Sequence, residues 1–258
     1  MQLAYREFGS GKPLIILHGL FGQSDNWNTL AKKFAENGFR VFVLDQRNHG
    51  LSPHSEEWNY QVMAEDLKDF ILEKQLDKPI LLGHSMGGKT VLFFNYLFPL
   101  MANALIIVDI AARAYKPHHQ KVLEALHAVN FNLIKTRKEA EQILNEHISD
   151  FGTKQFLLKN IYWKENSTLM DWRFNLKVIS EKYDNIGVAV PKSESSLSTL
   201  IIKGEKSDYI TDEDYNDFQQ RFTQCKLATI ADAGHWVHAE NPNAFFETVI
   251  KFVKDSIH

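Results

Sequence analysis

The stretch PILLGHSMGG at residues 79–88 decides the fold of this chain. A short apolar run leads into the pattern G-x-S-x-G, and an apolar-periodic run then continues over residues 86–97. This order predicts a buried strand, a sharp turn and a helix. Because such a turn leaves little room, we expect its middle residue, Ser85, to have a strained backbone that exposes the hydroxyl. Gly83 and Gly87 have no Cβ to collide across the bend.

Ser85 is a candidate nucleophile because the predicted helix begins directly after it. The first N–H groups of a helix have no partner within the helix. The N–H of Met86 would therefore point to where an oxyanion forms when the serine attacks a carbonyl. A serine hydroxyl is a weak nucleophile unless a neighbouring base accepts its proton and a third group orients that base. Other parts of the chain have to supply both partners.

The composition is that of an ordinary globular protein. The 258 residues are 44% hydrophobic and 24% charged, which suits one large α/β domain or a domain with an insertion. The net charge of −3 gives no electrostatic reason to expect nucleic acid or an anionic membrane as a partner. The single cysteine, Cys225, excludes an internal disulfide and fits a reducing compartment. The N-terminus has no signal pattern, and no apolar run approaches the roughly 20 residues that span a bilayer. We therefore expect a soluble, cytoplasmic protein.

Apolar strands and amphipathic helices alternate along most of the chain. The strands are apolar on both faces, which is typical of a mostly parallel, twisted sheet with helices on both sides. Functional groups in such a fold lie at the carboxyl ends of the strands. The predicted strands are 13–17, 40–44, 79–83, 104–109, 200–203 and 226–230, and the clearest helices are 60–74, 86–97, 212–222 and 242–254.

The alternation stops between residue 110 and about residue 198. Thr136 to Glu139 form a capping box that predicts a helix to His147. Residues 150–161 and 171–183 also have helical patterns, and no strong strand is evident. We predict a core of residues 1–110 and 199–258 with a helical cap insertion of residues 111–198.

Several polar loops follow predicted strands and are candidates for the base, the acid and a second oxyanion donor. His18 to Gly22 follow the strand 13–17, and the N–H of Leu20 would donate to an oxyanion if this loop lies beside Ser85. Asp109 ends the strand 104–109, and His235 lies just beyond the last strand. We interpret another polar cluster, Asp45, Arg47 and His49, as a hydrogen-bonded structural turn.

The order nucleophile, acid, histidine is that of the α/β-hydrolase form of the catalytic triad. The chain resembles the α/β-hydrolases over nearly its whole length. More narrowly, it resembles the small bacterial esterases of the YbfF type, with Asn48 and Ala112 where most relatives carry glycine and proline. The residues that carry the resemblance are His18-Gly19, Asp45 to Ser52, Gly83 to Lys89 and Gly234-His235.

The resemblance implies that Ser85 is the nucleophile and His235 the base, and that the N–H groups of Leu20 and Met86 form the oxyanion hole. It leaves two candidates for the acid. In the narrower esterase group the acid corresponds to Asp109. Many other α/β-hydrolases place it three residues after a glycine, which here is Ser207, with Asp208 one residue later. We favour Asp109 and keep Asp208 as the alternative.

A second motif overlaps the first. Gly83 to Thr90 also satisfy G-x-x-x-x-G-K-[ST], in which Lys89 and Thr90 would contact phosphate and Mg²⁺. A P-loop nucleotide hydrolase would leave His18-Gly19 and Gly234-His235 without a role. His84, Ser85 and Met86 are also bulky residues for a loop that wraps phosphates. We therefore prefer the hydrolase interpretation.

The sequence thus predicts a cofactor-free serine hydrolase that cleaves carboxylic esters or thioesters. Phe21, Met86 and Trp236, together with cap side chains, would form an apolar acyl pocket. Arg113 would meet an anionic group, such as that of an acyl-CoA or an acyl carrier, or would be a solvated charge at the entry to the cap, which we favour. The histidine spacings predict no metal site. Alternatives are a carbon–carbon bond hydrolase or perhydrolase with the same triad, and a binding protein that has lost the chemistry.

Overall fold

A seven-stranded sheet forms the centre of the molecule in a computed structural model that describes residues 1–256. Its strand order is β1-β3-β2-β4-β5-β8-β9, and β1 pairs antiparallel with β3 while the other pairs are parallel. A separate antiparallel pair consists of β6 and β7. The strands are β1 Tyr5–Phe8, β2 Lys12–Leu17, β3 Phe39–Leu44, β4 Ile80–His84, β5 Ala104–Val108, β6 Ile161–Trp163, β7 Met170–Trp172, β8 Ser198–Gly204 and β9 Cys225–Ile230.

Helices cover both faces of this sheet. They are α1 Asn28–Ala35, α2 Tyr60–Glu73, α3 Met86–Leu97, α4 Gln120–Ala128, α5 Arg137–His147, α6 Phe151–Leu158, α7 Leu176–Glu181, α8 Asp212–Arg221, α9 Val237–Glu240 and α10 Pro242–Ser256. No helix within residues 1–256 combines the length and the apolar character that a membrane crossing requires.

The alternation of side chains along the central strands explains the two helical layers. In β2, Leu14 and Ile16 point to one face, where α1 and α10 pack, whereas Ile15 and Leu17 point to the other, where α2, α3 and α8 pack. All four side chains are at most 1% exposed. The predicted α/β-hydrolase architecture, with a mostly parallel sheet covered on both sides, is confirmed.

The segment between β5 and β8 contains α4 to α7 and the β6–β7 pair, and its apolar side chains form a third buried cluster. The predicted helix that Thr136 caps is confirmed, with both hydrogen bonds of its capping box present. The domain limits themselves stay a prediction. Residues 257 and 258, which the predicted core includes, lie outside the described residues.

Two other expectations for this segment were wrong. The predicted helix 150–161 ends at Leu158, and residues 161–163 form β6 instead. The predicted helix 171–183 begins as β7, and α7 starts only after Asn175, whose side chain accepts the N–H of Val178. The cross-strand pair of Ile161 with Trp172 buries both side chains, and this pairing outweighs the local helical pattern.

Candidate active site

Ser85 lies in the turn between β4 and α3. Its φ is 52°, a left-handed value that costs a residue other than glycine about 1–3 kcal/mol. Gly83 and Gly87, two residues before and after Ser85, leave no room for a side chain. A Cβ on Gly83 would lie 2.2 Å from the carbonyl oxygen of Gly87, and a Cβ on Gly87 would lie 2.4 Å from that of Leu17. The strained turn therefore has the tight geometry that the sequence predicts.

His235 and Asp109 form a hydrogen-bonded pair beside this turn. His235 Nδ1 lies 2.8 Å from Asp109 Oδ2, and the Asp109 side chain is completely buried whereas that of His235 is 20% exposed. The carboxylate also accepts the N–H of Gly204 at 3.1 Å and the hydroxyl of Ser207. A carboxylate acceptor at Nδ1 fixes the proton there. Nε2 of neutral His235 is then free to accept a proton.

The two candidate acids have different positions. Asp208 is exposed, and within residues 1–256 the acid that contacts His235 is Asp109. Ser207 occupies the position three residues after Gly204 and turns inward to the carboxylate of Asp109. Ser207 is therefore a part of the site that the sequence analysis did not assign. The available signal was its position after the glycine, where many α/β-hydrolases carry the acid.

The loop after β2 lies against Ser85. A Cβ on Gly19 would lie 3.3 Å from the Cβ of Ser85. The N–H of Phe21 donates to His49 Nε2 at 3.2 Å, and that of Gly22 donates to the carbonyl of Gly19 at 2.9 Å. Within the described chain, no protein group accepts the N–H of Leu20. This N–H is therefore available for a ligand.

Met86, the first residue of α3, has a second available N–H. A helix leaves its first N–H groups without intrahelical partners, and no other group in residues 1–256 accepts that of Met86. Leu20, Ser85 and Met86 all line one cavity. The structure thus brings both predicted oxyanion donors to the predicted nucleophile.

Buried hydrogen bonds hold the loop after β2 in place. Gln46 donates its side-chain amide to the carbonyl of His18 at 2.6 Å and its backbone N–H to His18 Nε2 at 3.0 Å. The hydroxyl of Thr90, on α3, donates to Gln46 Oε1 at 2.9 Å. Burial lowers the pKa of His18 to about 4, so this imidazole stays neutral and accepts the N–H of Gln46.

The polar cluster after β3 forms a structural turn, as the sequence analysis interpreted it. Asp45 accepts the backbone N–H groups of Ser24 at 2.5 Å and Leu51 at 2.9 Å. Arg47 pairs with the buried Asp66 at 2.6 Å. Burial, together with the neighbouring His18, lowers the pKa of His49 to about 3.

Another buried histidine, His84, supports the loop of His235. Its Nε2 donates to the carbonyl of His235 at 2.8 Å. The ring centroid of His238 lies 4.7 Å from that of His84, and the His238 ring stacks on Trp27 at 4.0 Å. Burial, together with the neighbouring His238 and His235, lowers the pKa of His84 well below its usual value. His84 therefore remains a neutral donor.

Two cavities meet at Ser85. The first, of about 200 Å³, also contains His235, and we call it the apolar cavity. The second, of about 40 Å³, is largely aromatic, and we call it the tyrosine cavity. The side chains that give the apolar cavity its character are Leu20, Phe21, Val122, Phe156, Leu157 and Trp236. Those of the tyrosine cavity are Tyr60, Tyr115, Tyr183 and Tyr209, with Lys116 and His118.

Two of the three predicted acyl-pocket residues, Phe21 and Trp236, line the apolar cavity. Met86 lines the tyrosine cavity instead. Arg113 lines neither cavity. Its Nε lies 3.0 Å from the buried carboxylate of Asp214, and its guanidinium stacks over the Tyr115 ring. The cation at the cavity wall is Lys116 instead.

The groups that would serve a phosphate loop face the protein interior. Lys89 is completely buried and donates to two backbone carbonyls, and Thr90 donates to Gln46 and to the carbonyl of Met86.

Burial raises the pKa of the Cys225 thiol to about 11, which keeps it protonated. Within residues 1–256, no group of three or more His, Cys, Asp or Glu side chains is arranged to hold a metal ion.

Comparison with known proteins agrees with this geometry. Residues 12–242 match the family described as alpha/beta hydrolase fold. The chain is 35% identical to esterase YbfF of Escherichia coli K12 over 247 residues, which cover 95% of this chain and 94% of that protein. It is 34% identical to the mouse sn-1-specific diacylglycerol lipase ABHD11 over 249 residues, which cover 93% and 80% of the two chains. A solved marine microorganism esterase superposes with a TM-score of 0.94 at 40% identity, over 97% of this chain and 99% of that one. The chain belongs to the α/β-hydrolase fold family.

Proposed function

We propose that this protein is a serine hydrolase that cleaves carboxylic esters or thioesters through an acyl-Ser85 intermediate. The observation that carries this proposal is the buried Asp109 bound to His235 Nδ1 beside a nucleophile turn whose Ser85 has a φ of 52°. The relatives, an esterase and a diacylglycerol lipase by name, support ester bonds as the substrate class.

The geometry supports a two-step reaction. His235 Nε2 accepts the proton of Ser85 as its oxygen attacks the carbonyl carbon, and the N–H groups of Leu20 and Met86 stabilise the resulting oxyanion. The imidazolium then gives its proton to the leaving alcohol or thiol. In the second step His235 activates water, which releases the acid and restores Ser85. Asp109 fixes the tautomer of His235 and stabilises its charged form.

The two cavities suit the two halves of an ester. The larger apolar cavity is a natural site for the acyl chain, because its side chains present hydrocarbon and aromatic surface. The tyrosine cavity then receives the leaving group. Residues 111–198, proposed to act as a cap, supply walls to both cavities. Lys116 in the tyrosine cavity would favour an anionic leaving group, such as coenzyme A or an acyl carrier thiol.

The test of the proposed reaction is labelling with a fluorophosphonate probe, followed by hydrolysis of p-nitrophenyl esters. The wild type is expected to label at one site and to turn over. Ser85→Ala should lose labelling and at least about 10⁴-fold in kcat. Substantial turnover by folded Ser85→Ala would contradict the mechanism.

The same experiment separates the alternatives. A folded wild type that does not label would favour a binding protein without chemistry. A wild type that labels at Ser85 but hydrolyses neither esters nor thioesters would favour carbon–carbon bond hydrolysis or perhydrolysis.

A further inference from the structure

Lys89 is a buried lysine without a counter-ion, and burial, together with the neighbouring Arg113, lowers its pKa to about 7. It lies on α3, four residues after Ser85, and none of its surface is exposed. Buried lysines usually pair with a carboxylate, but within the described residues no carboxylate lies within 4.0 Å of Nζ. The ammonium donates instead to the backbone carbonyls of Arg113 at 2.8 Å and Val188 at 2.6 Å. Neither the triad nor the oxyanion donors explain this arrangement.

The two carbonyls mark the two ends of the segment between β5 and β8. Arg113 lies just after the chain leaves β5, and Val188 lies shortly before the chain enters β8. Backbone hydrogen bonds of 2.8 Å also join these ends to each other, from Tyr115 N to Gly187 O and from Val190 N to Ala112 O. One ammonium therefore fastens both connections of the segment to the helix that begins at the nucleophile.

Lys89 also lies behind the wall of the tyrosine cavity. Its Nζ is 4.9 Å from the ring centroid of Tyr115 and 5.8 Å from that of Tyr60. Both rings line the tyrosine cavity, and so does Gly187, next to the Val188 carbonyl. In its charged form Lys89 is attracted to these aromatic faces, so the side chain contacts the rings as well as the two backbone carbonyls. The distance between α3 and this wall thus depends on Lys89.

We propose that Lys89 is a positioning residue that sets the width of the tyrosine cavity and so selects which leaving groups the enzyme accepts. The proposal rests on the proposed ester hydrolysis. Lys89→Met keeps an unbranched side chain that is one atom shorter, and it leaves the carbonyls of Arg113 and Val188 without this donor. The wall then loses its attachment to α3, whereas Phe21, Phe156 and Trp236, which line the apolar cavity and not the tyrosine cavity, keep their positions.

Because the leaving group departs before deacylation, a cavity wall that contacts it can change acylation without changing deacylation. A general structural defect would change both steps. The experiment measures acylation and deacylation separately, by burst kinetics, for esters with one acyl chain and leaving groups of increasing size. For Lys89→Met we expect the ratio of acylation rates between large and small leaving groups to change about tenfold. The deacylation rate and the preference for acyl length should stay within about twofold.

Lys33→Met is the matched control, because Lys33, on α1, also lies over an aromatic ring and donates a hydrogen bond, in its case to the side chain of Asn243. It should leave both steps unchanged. If Lys89→Met does not fold, Lys89→Arg keeps a donor with a longer head group and should shift the preference towards larger leaving groups.

Equal changes for all leaving groups, or a parallel fall in deacylation, would overturn the proposal for Lys89. An unchanged leaving-group ratio in a folded Lys89 variant would also overturn it. A wild type that does not label at Ser85 would instead contradict the proposed function, so the two failures are distinguishable.

Discussion

The two sides of the nucleophile are built differently. On the core side, buried polar groups hold one another around Ser85, and His18, Gln46, His84 and Asp109 are all at most 3% exposed. On the opposite side, the tyrosine cavity includes Lys116 and His118, which are exposed. The polar groups of the core side are thus held by buried hydrogen bonds, whereas part of the opposite side lies at the surface.

Substitutions on the two sides of Ser85 should therefore have different effects. A substitution on the core side leaves a buried polar group without a partner, which lowers the free energy of unfolding by about 1–3 kcal/mol. Such a substitution should change the rate for every substrate alike. A change in a cavity wall alters the fit of one half of the substrate. Variants on the core side should therefore change the overall rate, and variants in the cavity walls should change the preference among substrates.

The largest effect is expected at the acid. Asp109→Asn should lower kcat for all esters by about 10³- to 10⁴-fold, because an amide no longer fixes the His235 tautomer or stabilises the imidazolium. Asp208→Asn is the matched control and should stay within about twofold of the wild type, since Asp208 is exposed. Steady-state kinetics with one p-nitrophenyl ester measures both variants. A larger loss for Asp208→Asn would reverse the assignment of the acid.

The buried histidines of the core side should make the folded protein sensitive to acid. Burial lowers the pKa of His238 to about 3 and that of His18 to about 4, below the usual 6.5 or so of an unfolded chain. Between pH 6.5 and 4, the unfolded state therefore binds protons that the folded state does not. The free energy of unfolding should fall as the pH drops through this window, by up to about 1.4 kcal/mol per pH unit for each such histidine.

Urea unfolding at several pH values measures this slope. His238→Phe should make the slope shallower by about one proton, because a phenyl ring in the stack on Trp27 does not titrate. A slope that folded His238→Phe leaves unchanged would contradict the assignment of this acid sensitivity to the buried histidines.

Local sequence signals predicted some elements correctly and failed where a contact involves residues outside the local stretch. Local signals set the bounds of α3 at Met86 and Leu97, because a glycine-flanked turn precedes the helix and a proline follows it closely. The helix pattern of residues 171–183 was misleading because β7 pairs with β6, a partner that lies outside this stretch of sequence. Arg113 similarly meets Asp214, which is 101 residues away. Contacts of this kind leave no local pattern in the sequence.

The smallest effect is expected in the apolar cavity, where the change concerns one half of the substrate. Phe156 lines this cavity and packs on Trp236 with ring centroids 4.2 Å apart. Phe156→Ala should enlarge the acyl site, and the ratio of kcat/KM for octanoyl over acetyl esters should rise about three- to tenfold. Phe151→Ala is the matched control, because Phe151 lies on the same helix but is 69% exposed.

The same variant can be tested with esters that differ in the leaving group. At a fixed acyl chain, Phe156→Ala should leave the preference among leaving groups within about twofold, since Phe156 does not line the tyrosine cavity. The Lys89 variants are expected to show the opposite pattern. If Phe156→Ala changed both preferences together, the two cavities would act as one site. The assignment of one substrate half to each cavity would then be wrong.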